Sequence, residues 1–280
     1  MKLPPREGQT GTGELLAYFA ITFAWSWTCW LLAAASDDGP GLLLYAGIPG
    51  PLLAALAMLY LRGTRTERRD LLRSVYQLER LKLPWLLLVL LLYPLLTGLA
   101  VGMDLLLGGE PPDAARLMQR LHQPTSLLAA AGLLLLLGPL PEEPGWRGYA
   151  LPRLLRFANP LTASLGLGLV WGLWHLPLFL VPGTYQQQLG LGSPGFWLFM
   201  LTALAGSVLI TWVWRHNDKS VFAAILLHAV LNLTRDSLPL DERAELLRTA
   251  LLLAMTTCLV LRGGPGLTWP TRPRVRFARR

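Results

Sequence analysis

Residues 127–148 read LLAAAGLLLLLGPLPEEPGWRG. An apolar run from Leu127 to Leu140 passes without a linker into two adjacent carboxylates, Glu142 and Glu143, and then a cation, Arg147. Ionisable groups inside or at the ends of membrane-length apolar segments are costly and are read as functional by default. Two later apolar runs carry a histidine each: Trp171-Gly172-Leu173-Trp174-His175 and His228-Ala229-Val230-Leu231-Asn232. The rest of the chain reads as the scaffold that brings these three segments together.

Composition agrees with a membrane solvent. Of 280 residues, 53% are hydrophobic and only 15% charged, against about 25% charged in soluble domains. The net charge of +8 does not form one basic patch. The cations fall between the apolar runs, which argues against a nucleic-acid partner and for a positive-inside topology. Cys29 and Cys258 sit in apolar runs at opposite ends of the chain, with neither ligand spacing nor a disulfide framework, and read as packing residues.

The fold class that follows is an all-α, polytopic membrane protein of about eight transmembrane helices, with one or two interfacial amphipathic helices. Residues 1–14 read as a polar N-terminal tail. Residues 15–125 hold the first three spans, at 15–35, 42–61 and 84–107. The first is longer than the apolar core of a signal peptide, about 7–15 residues. The second contains Pro49-Gly50-Pro51, which should kink it. Between the second and third, residues 62–82 predict an interfacial helix with Leu71, Val75, Leu78 and Leu81 on one face. Residues 108–124 read as a polar loop. Residues 126–233 form the motif-bearing core, with spans beginning at 126, 161, 196 and 220, the last short enough that it should tilt little or begin before Ser220. Residues 149–157 read as interfacial, 234–262 as the last transmembrane segment, and 263–280 as a basic tail.

Charge sets the orientation. With both termini in the cytoplasm, 20 of the 25 Lys and Arg residues fall on cytoplasmic segments and 5 on the other side, the asymmetry expected of a multi-pass cell-membrane protein.

The motifs point to chemistry. Glu143 and Arg147 are four apart and can pair on a helix. That would leave Glu142 free to act on water as a general base; a charged cap at the end of a span is the plainer alternative. His228 and Asn232 also share a helical face, and fit either an oxyanion-holding pair or a metal ligand with its helper. The chain lacks an H-E-x-x-H zinc motif, a G-x-S-x-G elbow and a cysteine near a histidine, so serine, cysteine and ordinary zincin mechanisms have no support.

Taken in order, Glu142-Glu143-x-x-x-Arg147, Trp171-x-x-x-His175 and His228-x-x-x-Asn232 resemble the CPBP family of CAAX proteases and bacteriocin-processing enzymes, prokaryotic branch. The resemblance covers roughly residues 126–233. It implies an eight-helix intramembrane endopeptidase with a cavity open toward the cytosol. Glu142 and His175 would activate water, His228 and Asn232 would stabilise the oxyanion, and Glu143 and Arg147 would order the site. Trp171 departs from the phenylalanine usual there but keeps an aromatic wall. If the chemistry uses Zn2+, the candidate ligands are Glu142, His175 and His228; metal-bound and side-chain mechanisms both stay open. The partners implied are membrane lipid and a peptide or protein substrate reached from the membrane or the cytosolic side. A non-catalytic immunity or scaffold protein and a proton-coupled transporter are the rival functions.

Overall fold

The computed structural model describes residues 7–37 and 39–268, and among these every regular element is helical. The ends of both expected tails, before residue 7 and after residue 268, lie outside the described residues.

Helix α1 (Glu7–Ala34) begins inside the stretch expected to be a tail, and its membrane-length part is Gly11–Ala34. Helices α2 (Gly41–Gly47) and α3 (Gly50–Leu61) are bent by 50° at the expected Pro49-Gly50-Pro51 break. A break in hydrocarbon exposes carbonyls that water cannot reach, and each one left unpaired costs several kcal/mol. Here α1 supplies the donors. Trp30 Nε1 donates to Leu44 O (2.9 Å), Trp25 Nε1 to Ala46 O (2.8 Å) and Ser26 Oγ to Gly47 O (2.7 Å).

The interfacial helix α4 (Arg65–Tyr76) is shorter than the expected 62–82. A capping box between Thr64 and Glu67 starts it, and it stops at Gln77 before a 3-10 turn, Leu78–Arg80. Leu78 therefore leaves the apolar face and is exposed, while Leu71 stays buried. Helix α5 (Leu83–Leu106) shows how the membrane is faced. Leu87, Leu91, Leu95 and Leu99, four apart, point outward, and Val89, Tyr93, Thr97 and Ala100 point into the protein. The stretch expected to be a polar loop contains a further helix, α6 (Ala115–His122), whose Arg120 is buried.

The motif-bearing path follows: α7 (Pro124–Leu136), α8 (Pro139–Glu143), a π-helical turn (Pro144–Ala150) and α9 (Leu151–Leu154). Helix α10 (Pro160–Trp174) ends seven residues short of the expected Val181. Pro177 cannot donate to the carbonyl four residues back, so the chain passes into a 3-10 turn, Leu176–Phe179. Then come α11 (Tyr185–Leu189), α12 (Pro194–His216), α13 (Val221–Ser237) and α14 (Glu242–Gly263). Helix α13 does not begin before Ser220, which caps it; it gains length beyond the expected 233 boundary instead. Five helical paths are long and apolar enough to cross a membrane, and the bent α2–α3 pair makes a sixth. The remaining two of the expected eight, α10 with 15 residues and α13 with 17, are shorter than a full span.

The bundle has two distinct ends. At one, Arg153 reaches Glu67 of α4 (3.2 Å) and Glu14 of α1 (3.7 Å), and Leu161 N donates to Pro265 O (3.0 Å). Arg153, expected in an interfacial stretch, is buried there with its guanidinium 3.6 Å from the Tyr149 ring centroid. This end gathers the starts of α1 and α10, helix α4, and the end of α14. At the other end, Arg116 and Arg120 of α6 pair with Asp236 of α13 (3.1 and 2.6 Å), and Arg243 of α14 pairs with Asp104 of α5.

Candidate active site

Pro144 has no amide hydrogen to close the preceding helical turn, and the helix widens into the π-helical turn at that residue. The register still leaves Arg147 one turn past Glu143. Arg147 Nη1 donates to Glu143 Oε1 at 3.0 Å, with both side chains fully buried. This is the pairing expected from their spacing. Gly145 lets α3 approach the same turn, since a β-carbon there would collide with the backbone of Pro51. Arg147 Nη2 also donates to Ser207 Oγ of α12 (3.2 Å), and that hydroxyl donates to Ser164 O of α10 (2.8 Å). The acidic motif is thereby tied to both neighbouring helices.

His228 is brought to the same carboxylate. Its Nδ1 lies 2.8 Å from Glu143 Oε1 and donates to it, which turns Nε2 to the cavity. His175, the C-cap of α10, donates from Nδ1 to Trp171 O (2.7 Å), so its Nε2 carries the free lone pair. Trp171 does more than form a wall: its Nε1 donates to Glu142 Oε2 at 2.8 Å. The same ring lies 5.3 Å from the Arg147 guanidinium and makes edge contacts with His175 and His228. Behind His175, Trp30, Trp146 and Trp174 form a stack of tilted and edge-on rings.

Glu142, His175, His228 and Asn232 line one cavity of about 370 Å³, walled by apolar residues that include Leu44, Leu134, Leu178 and Phe199. A methyl group on Gly138 would lie 3.3 Å from Asn232 Nδ2 and 3.8 Å from Glu142 Oε1. Glycine thus leaves open the space between the carboxylate and the amide. All six residues singled out in the sequence belong to this one assembly: four line the cavity, and Glu143 and Arg147 stand directly behind it.

Among the described residues, no three His, Cys, Asp or Glu side chains are gathered to hold a metal ion. Glu142, His175 and His228 share the cavity without forming such a group.

Arg235 and Tyr185 also line the cavity and were missed in the sequence. The available signal was spacing: His228, Asn232 and Arg235 recur at i, i+4 and i+7, one helical face. The cavity joins a second one of about 730 Å³ between α6, α11 and the turn from α13 to α14. Its mouth is therefore at the end of the bundle away from α4. The ends of α1 and α14 nearest the termini lie at the α4 end, away from the second cavity.

Fold and site define a multi-pass, all-helical membrane protein with a buried carboxylate–arginine–histidine centre. Comparison with known proteins makes this more specific. Residues 124–234 match the family described as type II CAAX prenyl endopeptidase Rce1-like. The chain is also 27% identical over 251 residues to a CAAX prenyl protease 2 of Methanococcus maripaludis, covering 87% of this chain and 92% of that one. Residues 124–234 are thus similar to an Rce1-like CAAX prenyl endopeptidase domain, and most of the chain is similar to a CAAX prenyl protease.

Proposed function

We propose that this protein hydrolyses a peptide bond of a membrane-associated or lipidated peptide by side-chain-activated water. The observation that supports this best is the convergence of Glu142, His175, His228 and Asn232, from three separate helical segments, on one mostly apolar cavity.

In this reading a water molecule sits between Glu142 and His175 Nε2. Glu142 takes its proton, and the hydroxide adds to the scissile carbonyl carbon. The oxyanion is held by Asn232 Nδ2 and His228 Nε2. The C–N bond then breaks as the proton held by Glu142 passes to the leaving nitrogen. For His228 to donate from Nε2 it must carry a proton on both nitrogens. Glu142 and Glu143 then balance Arg147 and His228, and the four buried charges sum to zero. Such compensation is what a low-dielectric site requires.

In this reading the cation-rich α4 end faces the cytoplasm, and the substrate enters from the membrane or from the opposite face. The test is incubation of the purified chain, in vesicles, with lipid-anchored peptides. Mass spectrometry should find a new amino terminus with the native chain and none with Glu142→Gln. Equal product from both would remove Glu142 from the mechanism, and no product from the native chain on any anchored peptide would remove the activity.

A further inference from the structure

Among the described residues, five arginines stand at the end of the bundle where the cavities open, and four of them have a carboxylate partner. Arg116 and Arg120 share Asp236, Arg243 pairs with Asp104, and Arg248 pairs with Glu245 (2.5 Å). The fifth, Arg235, pairs with no carboxylate among the described residues. Its Nη2 donates to Asn232 Oδ1 (3.4 Å), and its guanidinium lies 4.1 Å from the Tyr185 ring centroid. It lines both cavities, as do Leu134, Tyr185 and Asn232, and so stands at their junction.

Three features of this position matter. A half-buried guanidinium at a membrane protein's cavity is expensive unless an anion joins it. The four charges of the hydrolytic centre already sum to zero in the reading above, so Arg235 leaves the cavity with one uncompensated positive charge. The nearby acids are engaged or exposed: Asp236 and Glu245 pair with other arginines, Asp241 caps α14 by accepting from Ala244 N (2.8 Å), and Glu242, which also lines the second cavity, is solvent-exposed. A planar guanidinium with donors to spare is suited to a carboxylate.

We infer that Arg235 is a substrate-binding residue that receives a carboxylate of the bound peptide at the junction of the two cavities. This rests on the peptidase reading. The hydrogen bond from Arg235 fixes Asn232 Oδ1 and thereby turns Nδ2 toward the space beside Gly138 and Glu142. The carboxylate site and the oxyanion site are therefore adjacent. One helical turn separates Asn232 from Arg235, about 4.5 Å at 1.5 Å per residue. At about 3.3–3.6 Å per extended residue, the carboxylate belongs roughly one or two residues from the scissile carbonyl. It can be a chain-terminal α-carboxylate or an acidic side chain; both present the same group.

Binding is measured apart from turnover. The Glu142→Gln chain in nanodiscs is titrated with a dodecanoyl-capped hexapeptide of alanine and valine. Three forms are used: free acid, carboxy-terminal amide, and amide with glutamate as the last residue. The inference expects one of the two acidic forms to bind at least tenfold more tightly than the plain amide. That preference should fall to about onefold when Arg235→Gln is added and return in part with Arg235→Lys. Preference for the free acid assigns an α-carboxylate; preference for the glutamate form assigns a side chain. Equal binding of all three forms, binding of none at millimolar peptide, or a preference unchanged in Arg235→Gln overturns the inference. Cleavage of the same peptides by the native chain is read separately. An Arg235-dependent preference without cleavage would sink the hydrolytic reading and leave the carboxylate site standing.

Discussion

The indole nitrogen of Trp171 donates to Glu142 Oε2 at 2.8 Å, and the same ring lies beside Arg147, His175 and His228. One side chain therefore touches most of the proposed centre and holds the proposed base by a directed bond. Trp171→Phe keeps an aromatic ring but removes the N–H together with the volume of the second ring, so some loss of melting temperature accompanies it. Hydrogen bonds to charged groups are worth about 1.5–3 kcal/mol, so kcat should fall roughly tenfold or more. Steady-state kinetics on the purified variant would check this; an unchanged kcat would reduce the contact to packing.

Gly138 is predicted to matter for space. A methyl group there enters the gap between Asn232 Nδ2 and Glu142 Oε1. Misplacement by about 1 Å in such a site can cost about 100-fold. The methyl asks Asn232 to give by only a few tenths of an ångström, so Gly138→Ala should lose activity by less than that, about tenfold. Full activity would show that the reacting atoms sit elsewhere in the cavity.

Topology is testable with two engineered cysteines, after Cys29 and Cys258 are replaced. Leu78 follows α4 and is exposed, and Gln187 lies exposed on α11 near the cavity mouth. The charge asymmetry expects a membrane-impermeant maleimide to reach Leu78→Cys only from the cytoplasm and Gln187→Cys only from the other face. The reverse pattern would turn the cavity to the cytosol and contradict the positive-inside reading.

At the α4 end, burial works against ionisation of Glu67, but the Thr64 amide and Arg153 outweigh it and hold the carboxyl below its ordinary value. A depressed folded value stabilises the protein above the unfolded value, about pH 4.3, and that contribution disappears as pH falls through the lowered one. The melting-temperature gap between the native chain and Glu67→Gln should thus be full at pH 6 and shrink as pH falls below about 4.3. A gap that does not shrink would leave only the cap, with no charge contribution.

Much of this was readable from the residues. Apolar runs marked the helices, Pro49-Gly50-Pro51 marked the bend, and the four-residue spacing marked the Glu143–Arg147 pair. Each of these is a local property. The end of α10 was also legible, because Pro177 forbids the continuation that had been expected. The contacts His228–Glu143 and Trp171–Glu142 were not, since each joins helices far apart in sequence and depends on packing that no periodicity encodes. Arg153 was misplaced for a related reason: its burial is made possible by Glu14, Glu67 and Tyr149, which only the fold brings together.

The central claim is that the adjacent carboxylates have different tasks, Glu142 for proton transfer and Glu143 for holding Arg147 and His228. The direct measurement is turnover and melting temperature, side by side, for Glu142→Gln and Glu143→Gln. General-base catalysis contributes about 100- to 10,000-fold, while removing one partner of a buried pair costs about 3–5 kcal/mol. The account predicts that Glu142→Gln melts like the native chain and loses at least 100-fold in kcat, while Glu143→Gln melts several degrees lower. A Glu142→Gln chain that still turns over at the native rate, or two variants equally destabilised, would contradict it.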